Sequence, residues 1–241
     1  MFSNHIKFAL RILKKDGIYS VLNVLGLTLG ITVGIILFLY LQSELNYDKH
    51  HTKADRIYRF TAHLKADGAD FNTARTPREI APRLLEELAE VQNYVRFNDW
   101  GNTLVTTNES GSEPIQFYED EIYSTDSTFL DFFTHEVLDG NPENCLEGPK
   151  KVVLTESIAK KYFGHDNPIG QTIQIEGNGN LTVSGVIASS LVKSHLPLDF
   201  VVNNHSLGYA SRLLSDMDSH SMSFYLNLKN VLIDDFNRSL A

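Results

Sequence analysis

The chain has 241 residues with 42% hydrophobic content, enough to bury a core and too apolar for a disordered polymer. Its formal net charge of −9 repels nucleic-acid phosphates, and no basic stripe interleaved with aromatics occurs beyond residue 17. A single cysteine, Cys145, excludes an intramolecular disulfide framework and reads as a small buried side chain.

Charge divides the chain unevenly. Lys7, Arg11, Lys14 and Lys15 face only Asp16 within residues 1–17, so everything after them is strongly acidic. Ile6, Ala9, Leu10 and Leu13 repeat at helical spacing opposite the four cations, which predicts an interfacial amphipathic helix over 1–17 whose basic face meets anionic lipid. From Ile18 to Leu41 there is no charged residue, a run longer than the roughly 20 residues that cross hydrocarbon. A transmembrane helix over 18–41 is therefore expected. Bulky YLQSELNYD follows it instead of a small-x-small cleavage site, so the segment stays attached. The cations ahead of the span place the N-terminus in the cytoplasm and residues from 46 onward outside it. Gly26, Gly30 and Gly34 recur at every fourth position and line one helix face, a packing surface for another copy, another protein or a further segment.

Beyond the span, ADRIYRFTAHL reads as one strand. TPREIAPRLLEELAEV reads as a helix with Thr76 and Glu79 as a capping box and Leu84, Leu85, Leu88 and Ala89 as the buried stripe, although Pro82 shifts the regular start towards Ala81. VQNYVRF is a strand, and short β pieces separated by turn formers follow from Gly101 to Tyr123. KKVVLTESIAKKYFG gives a strand, a helix capped by Thr155 and a stop at Gly164. TIQIE and LTVSGVIAS are strands joined by the hairpin loop EGNGN, SFYLNLK is another strand, and VLIDDFNRSLA opens a helix without a stop signal. The fold class is α+β with mixed sheets, in a domain over 46–241 that is expected to continue past Ala241.

Nine histidines invite a search for a metal site, but no HxxxH or HxH pair occurs and His50 and His51 are adjacent, so solvated loop histidines are expected. No nucleophile elbow, phosphate loop or CxxC is present, and Gly177 and Gly179 join two strands with no helix N-terminus after them. Ser194, His195 and Asp199 in SHLPLDF resemble a nucleophile set, yet adjacent residues on a strand face opposite ways. They are expected to form a structural turn or a periplasmic contact motif. Catalytic residues, metal and cofactors are accordingly expected to be none.

FALRILKKDGIYSVLNVLGLTLGI, NYDKHHTKADRIYRF, DSTFLDFFTHEVLDGNP, KKVVLTESIAKKYFGHDNPIGQTIQI, LTVSGVIAS and SHLPLDF together resemble, in order and spacing, the N-terminal part of an FtsX-like ABC transporter permease with a MacB-type periplasmic core domain. The resemblance implies a non-catalytic permease subunit in the bacterial inner membrane. It also implies a cytoplasmic ATPase in a separate chain, a second permease copy, a periplasmic adaptor and further membrane helices. The expected role is export, lipoprotein release or antimicrobial-peptide efflux, driven by ATP hydrolysis in the partner. The alternatives are a single-span sensor or adhesin with an outer ligand-binding domain and, third, an anchored enzyme needing a convergent pocket of titratable groups.

Overall fold

The computed structural model describes residues 5, 8, 11, 15, 17–45, 48–66, 69–107, 114–189, 194–204 and 222–229. The chain divides into two units, Met1–Tyr47 and Asp48–Ala241. In the first, α1 (Gly17–Leu45) runs without a proline and buries none of its residues, so its apolar surface faces outward all round. Its 29 residues extend for about 43 Å at helical rise, against about 30 Å of hydrocarbon. His5, Phe8, Arg11 and Lys15 are helical and exposed. Lys7 and Lys14, together with the apolar side of the interfacial helix, lie outside the described residues.

The second unit contains β1 (Ile57–Arg59), β2 (Ala62–Ala66), β3 (Ala69–Thr73), α2 (Ile80–Glu87), β4 (Val91–Asp99), β5 (Thr103–Thr107), β6 (Ile115–Glu119), β7 (Ile122–Thr125), α3 (Phe129–Phe132), β8 (Val137–Gly140), β9 (Lys151–Thr155), α4 (Glu156–Phe163), β10 (Thr172–Ile175), β11 (Gly179–Ile187), β12 (Phe200–Asn203) and β13 (Ser223–Leu228). An 11-stranded sheet runs in the order β1-β13-β4-β7-β12-β9-β11-β10-β5-β6, with β8 beside β11, and β2 and β3 form a separate hairpin. β9 with β11 and β7 with β12 are parallel; the other pairs described are antiparallel. The α+β class with a mixed sheet is thus observed.

Alternation along the central strands fills both faces of the sheet. Val152 and Leu154 of β9 enter one cluster with Ile158, Tyr162 and Phe163 of α4, while Val153 enters another with Phe97, Phe129, Phe132 and Phe133. Phe200 and Val202 of β12 split from Val201 in the same way. This two-sided burial explains why these strands read as continuous apolar runs. A third cluster packs α2 on β13 through Ala81, Phe224, Leu226 and Leu228. α4 ends at Gly164, which takes φ 60°, the left-handed conformation that glycine permits without strain. Gly140 is needed for another reason: at φ +93° its backbone runs so close to β11 that a Cβ would lie 2.6 Å from the Ser184 carbonyl oxygen.

Several expectations need correction. ADRIYRFTAHL is two strands, because β1 pairs with β13 while β2 turns away to pair with β3. Thr76 is no helix cap: it is buried in a bridge to Met222, to whose carbonyl its hydroxyl donates, and α2 starts after Glu79 with no side-chain cap. Pro82 falls in the first turn, where its missing N–H costs nothing. Leu85 and Ala89 are exposed, and Ile80, Ala81, Leu84 and Leu88 form the packed stripe instead. Thr155 holds the cap position of α4 without capping an amide, since its hydroxyl is engaged elsewhere. The loop NESGSE and the helix expected over VLIDDFNRSLA lie outside the described residues.

Candidate functional site

The stretch that follows α1 in sequence is fastened to the domain by polar side chains. Asp48 takes φ 55°, a left-handed conformation that aspartate tolerates better than bulky residues do. Its Oδ1 accepts from Ser194 Oγ at 2.8 Å and from the His195 backbone N–H at 3.3 Å, and its Oδ2 lies 2.5 Å from His195 Nδ1. Burial pushes this carboxyl up, but the hydrogen bonds from Ser194 and His195 outweigh it and hold Asp48 below its ordinary value. His195 Nε2 in turn meets the Tyr225 hydroxyl at 2.6 Å. Burial raises the Tyr225 phenol to about 12, so it stays protonated. With the imidazole neutral, Nδ1 donates to Asp48 and Nε2 accepts from Tyr225.

Ser194 and His195 lie in an irregular loop and not on a strand, which is why both reach one carboxylate instead of facing opposite ways. They share an acceptor; they do not form a nucleophile and its base. Asp199 is apart from them. It accepts from Thr155 Oγ1 at 3.1 Å, and that hydroxyl continues through Ser157 Oγ to Ser189 Oγ at 3.0 Å each. These groups edge a cavity of about 270 Å³ whose wall also holds Glu121, His135 and Leu196. Burial raises the Glu121 and Asp199 carboxyls, with the neighbouring acids adding to the effect.

A second set of contacts ties the same segment to the α3 region. His51 Nδ1 accepts from the Thr134 backbone N–H at 3.1 Å, Thr52 N–H donates to Thr134 Oγ1 at 2.9 Å, and Lys53 Nζ donates to the Asp131 carbonyl at 2.5 Å. His51 is 6% exposed, with its ring edge-on to Phe133 and 3.9 Å from that of His50. His135 stacks on Phe129. The expectation of solvated histidines fails for His51, which packs against Phe133, whereas His50 beside it is half-buried and His63 and His165 are exposed. Burial lowers His51 and His135 to about 4, with charge repulsion among the histidines adding to it. Among the described residues no group of three or more His, Cys, Asp or Glu could hold a metal ion.

Residues 20–236 match the family of the MacB-like periplasmic core domain. The chain belongs to that family. Its fold resembles a domain described as a permease protein of Porphyromonas gingivalis, at 17% identity and a TM-score of 0.66, over 80% of this chain and 81% of that one. Also similar are the periplasmic region of MacB from Actinobacillus actinomycetemcomitans, at 18% identity and TM-score 0.49 over 69% and 72% of the two chains, and the extracellular domain of the noncanonic ABC-type transporter YknZ from Gram-positive bacteria, at 14% and 0.49 over 76% and 88%. Comparison with curated proteins returned no match.

In this MacB-like chain, Gly26, Gly30 and Gly34 lie on α1 with open space around them: a Cβ at any of the three meets nothing within 4 Å. Sequence reasoning found Ser194 and His195 but missed Asp48, Thr134 and Tyr225, which complete the fastening. Asp48 stands 146 residues from Ser194, and no periodicity links positions so far apart. A lone aspartate before two histidines carries no signal of its own.

Proposed function

We propose that this chain is a permease subunit of an ABC-type export complex, anchored by α1 with its MacB-like domain outside the cytoplasm. It couples ATP hydrolysis in a separate cytoplasmic ATPase to movement of that domain. The observation that carries the reading is the family match over residues 20–236, which takes in most of an apolar helix none of whose residues is buried. Two further features support it. The hydroxyl, imidazole and carboxylate groups of the candidate site are committed to one another, with no activated nucleophile among them. Residues 48–53, which follow α1 in sequence, are held by bonds to two separated parts of the domain, so a displacement of this segment is passed to both. The basic residues ahead of α1 favour a cytoplasmic N-terminus.

Two readouts test this in spheroplasts expressing the full gene with its neighbouring ATPase. External protease should cut the domain while α1 resists alkaline carbonate, and the accessibility of a cysteine at exposed Lys49 (Lys49→Cys) should change on trapping the ATPase with vanadate. Cys145 is buried and stays silent to the label. A domain spared by external protease overturns the topology; labelling indifferent to nucleotide overturns the coupling and favours the single-span sensor.

A further inference from the structure

On the face of the sheet formed by β1, β13, β4 and β7, cross-strand pairing lines up side chains of one parity. Arg59 stands opposite Tyr225, Ser223 opposite Phe97, and Asp99 opposite Tyr123. They floor a cavity of about 190 Å³ whose rim is completed by Arg75 and His195. Arg75 arrives from a different direction. Thr73 Oγ1 accepts from its backbone N–H at 3.1 Å, and the bridge of Thr76 to Met222 brings that loop beside Ser223. Arg59 donates through Nη2 to Ser223 Oγ at 3.3 Å and lies 6.0 Å from the centre of the Tyr225 ring.

Neither guanidinium has a carboxylate partner among the described residues. The lining carboxylate, Asp99, accepts from the Gly101 backbone N–H at 2.8 Å. A chain of net charge −9 has acids to spare, and Arg96, by contrast, is paired with Asp126 at 2.6 Å. Arg59 and Arg75, both exposed and neither with a carboxylate partner among the described residues, line one concavity together with the phenols of Tyr123 and Tyr225. Guanidinium forks match oxyanions bidentately. Donors reaching in from the end of β1 and from a separate loop suit a tetrahedral anion, which offers oxygens in more than one direction, better than a planar carboxylate.

We propose that this pocket is a binding site for a phosphate group, free or esterified, held by Arg59 and Arg75. The site is independent of the transport role proposed above. His195 belongs both to its rim and to the Asp48 fastening, so an occupant touches a side chain that holds the segment after α1.

The test is calorimetric titration of the full chain in maltoside detergent and phosphate-free, low-salt buffer, with inorganic phosphate, glycerol 3-phosphate and acetate as probes. At least one phosphate probe should bind saturably, about tenfold more weakly to Arg75→Gln and without saturation to the Arg59→Gln/Arg75→Gln double variant. Asp99→Asn keeps an oxygen for Gly101 and removes the opposing charge, so it should bind several-fold more tightly. That gain cannot come from misfolding. Binding of the ester alone assigns the site to an esterified headgroup, and equal binding of both probes assigns it to the free ion. Absence of saturable heat with either phosphate probe, undiminished binding by the double variant, or acetate binding as tightly as phosphate each overturns the proposal.

Discussion

Neutral imidazole at His51 is enforced twice, by closure of Phe133 over the ring and by the Thr134 amide that needs Nδ1 as an acceptor. His135 is neutral because it stacks within the same aromatic cluster. Both folded-state values, about 4, lie below the ordinary histidine value of 6.5. The unfolded chain therefore binds more protons between those limits, and the histidine contribution is complete above pH 6.5 and lost as pH falls towards 4. Allowing for solvent screening and for the repulsion they share, the pair is worth about 3 kcal/mol over that window. Glu121 and Asp199, raised by burial, work in the opposite direction, so the histidine share is read as a difference. His135→Phe keeps the stacking and removes one titration. Its urea midpoint should fall less than that of the parent chain between pH 7 and pH 5, and equal falls sink the assignment. The adjacent histidines are plain in the sequence, but the Phe133 ring that packs on His51 comes from about 80 positions on, as the Thr52 to Thr134 separation of 82 shows.

Elements were legible where local chemistry decides them. The charge-free run gave α1, Gly164 ended α4, and alternation gave β10, β11 and β13. The errors fall where a distant partner overrides the local pattern: Thr76 leaves a helix cap for a bridge to Met222, and β1 separates from β2 to follow β13. The glycine face of α1 belongs to this scale too. Because a Cβ at Gly30 meets nothing within 4 Å, leucine there acts chiefly on a neighbouring helix. Gly30→Leu should weaken self-association of α1 in a membrane two-helix assay by about tenfold, given the close backbone approach that small residues allow. Unchanged association removes Gly26, Gly30 and Gly34 as an interface between copies.

At the scale of the whole domain, order along the chain and order in the sheet diverge. β13, among the last described residues, lies between β1 and β4, and β12 lies between β7 and β9. No periodicity encodes that arrangement, because it is set by which apolar faces close upon one another. It makes the early part of the domain dependent on the late part. Ending the chain at Asn204 removes β13, leaves β1 without its sheet partner and strips Phe224, Leu226 and Leu228 from the cluster that covers Ala81 and Val91. Each large buried side chain lost costs about 2–5 kcal/mol, so three together rival the 5–15 kcal/mol that holds a typical domain. Leu226→Ala alone should cost about 3 kcal/mol and keep a cooperative melt. The truncated chain should show no cooperative thermal transition and no near-ultraviolet circular dichroism, although α1, none of whose residues is buried, still inserts into membranes. A cooperative melt of the truncated chain within a few degrees of the full one would make β13 a peripheral strand and return the stability of the domain to the sheet between β4 and β6.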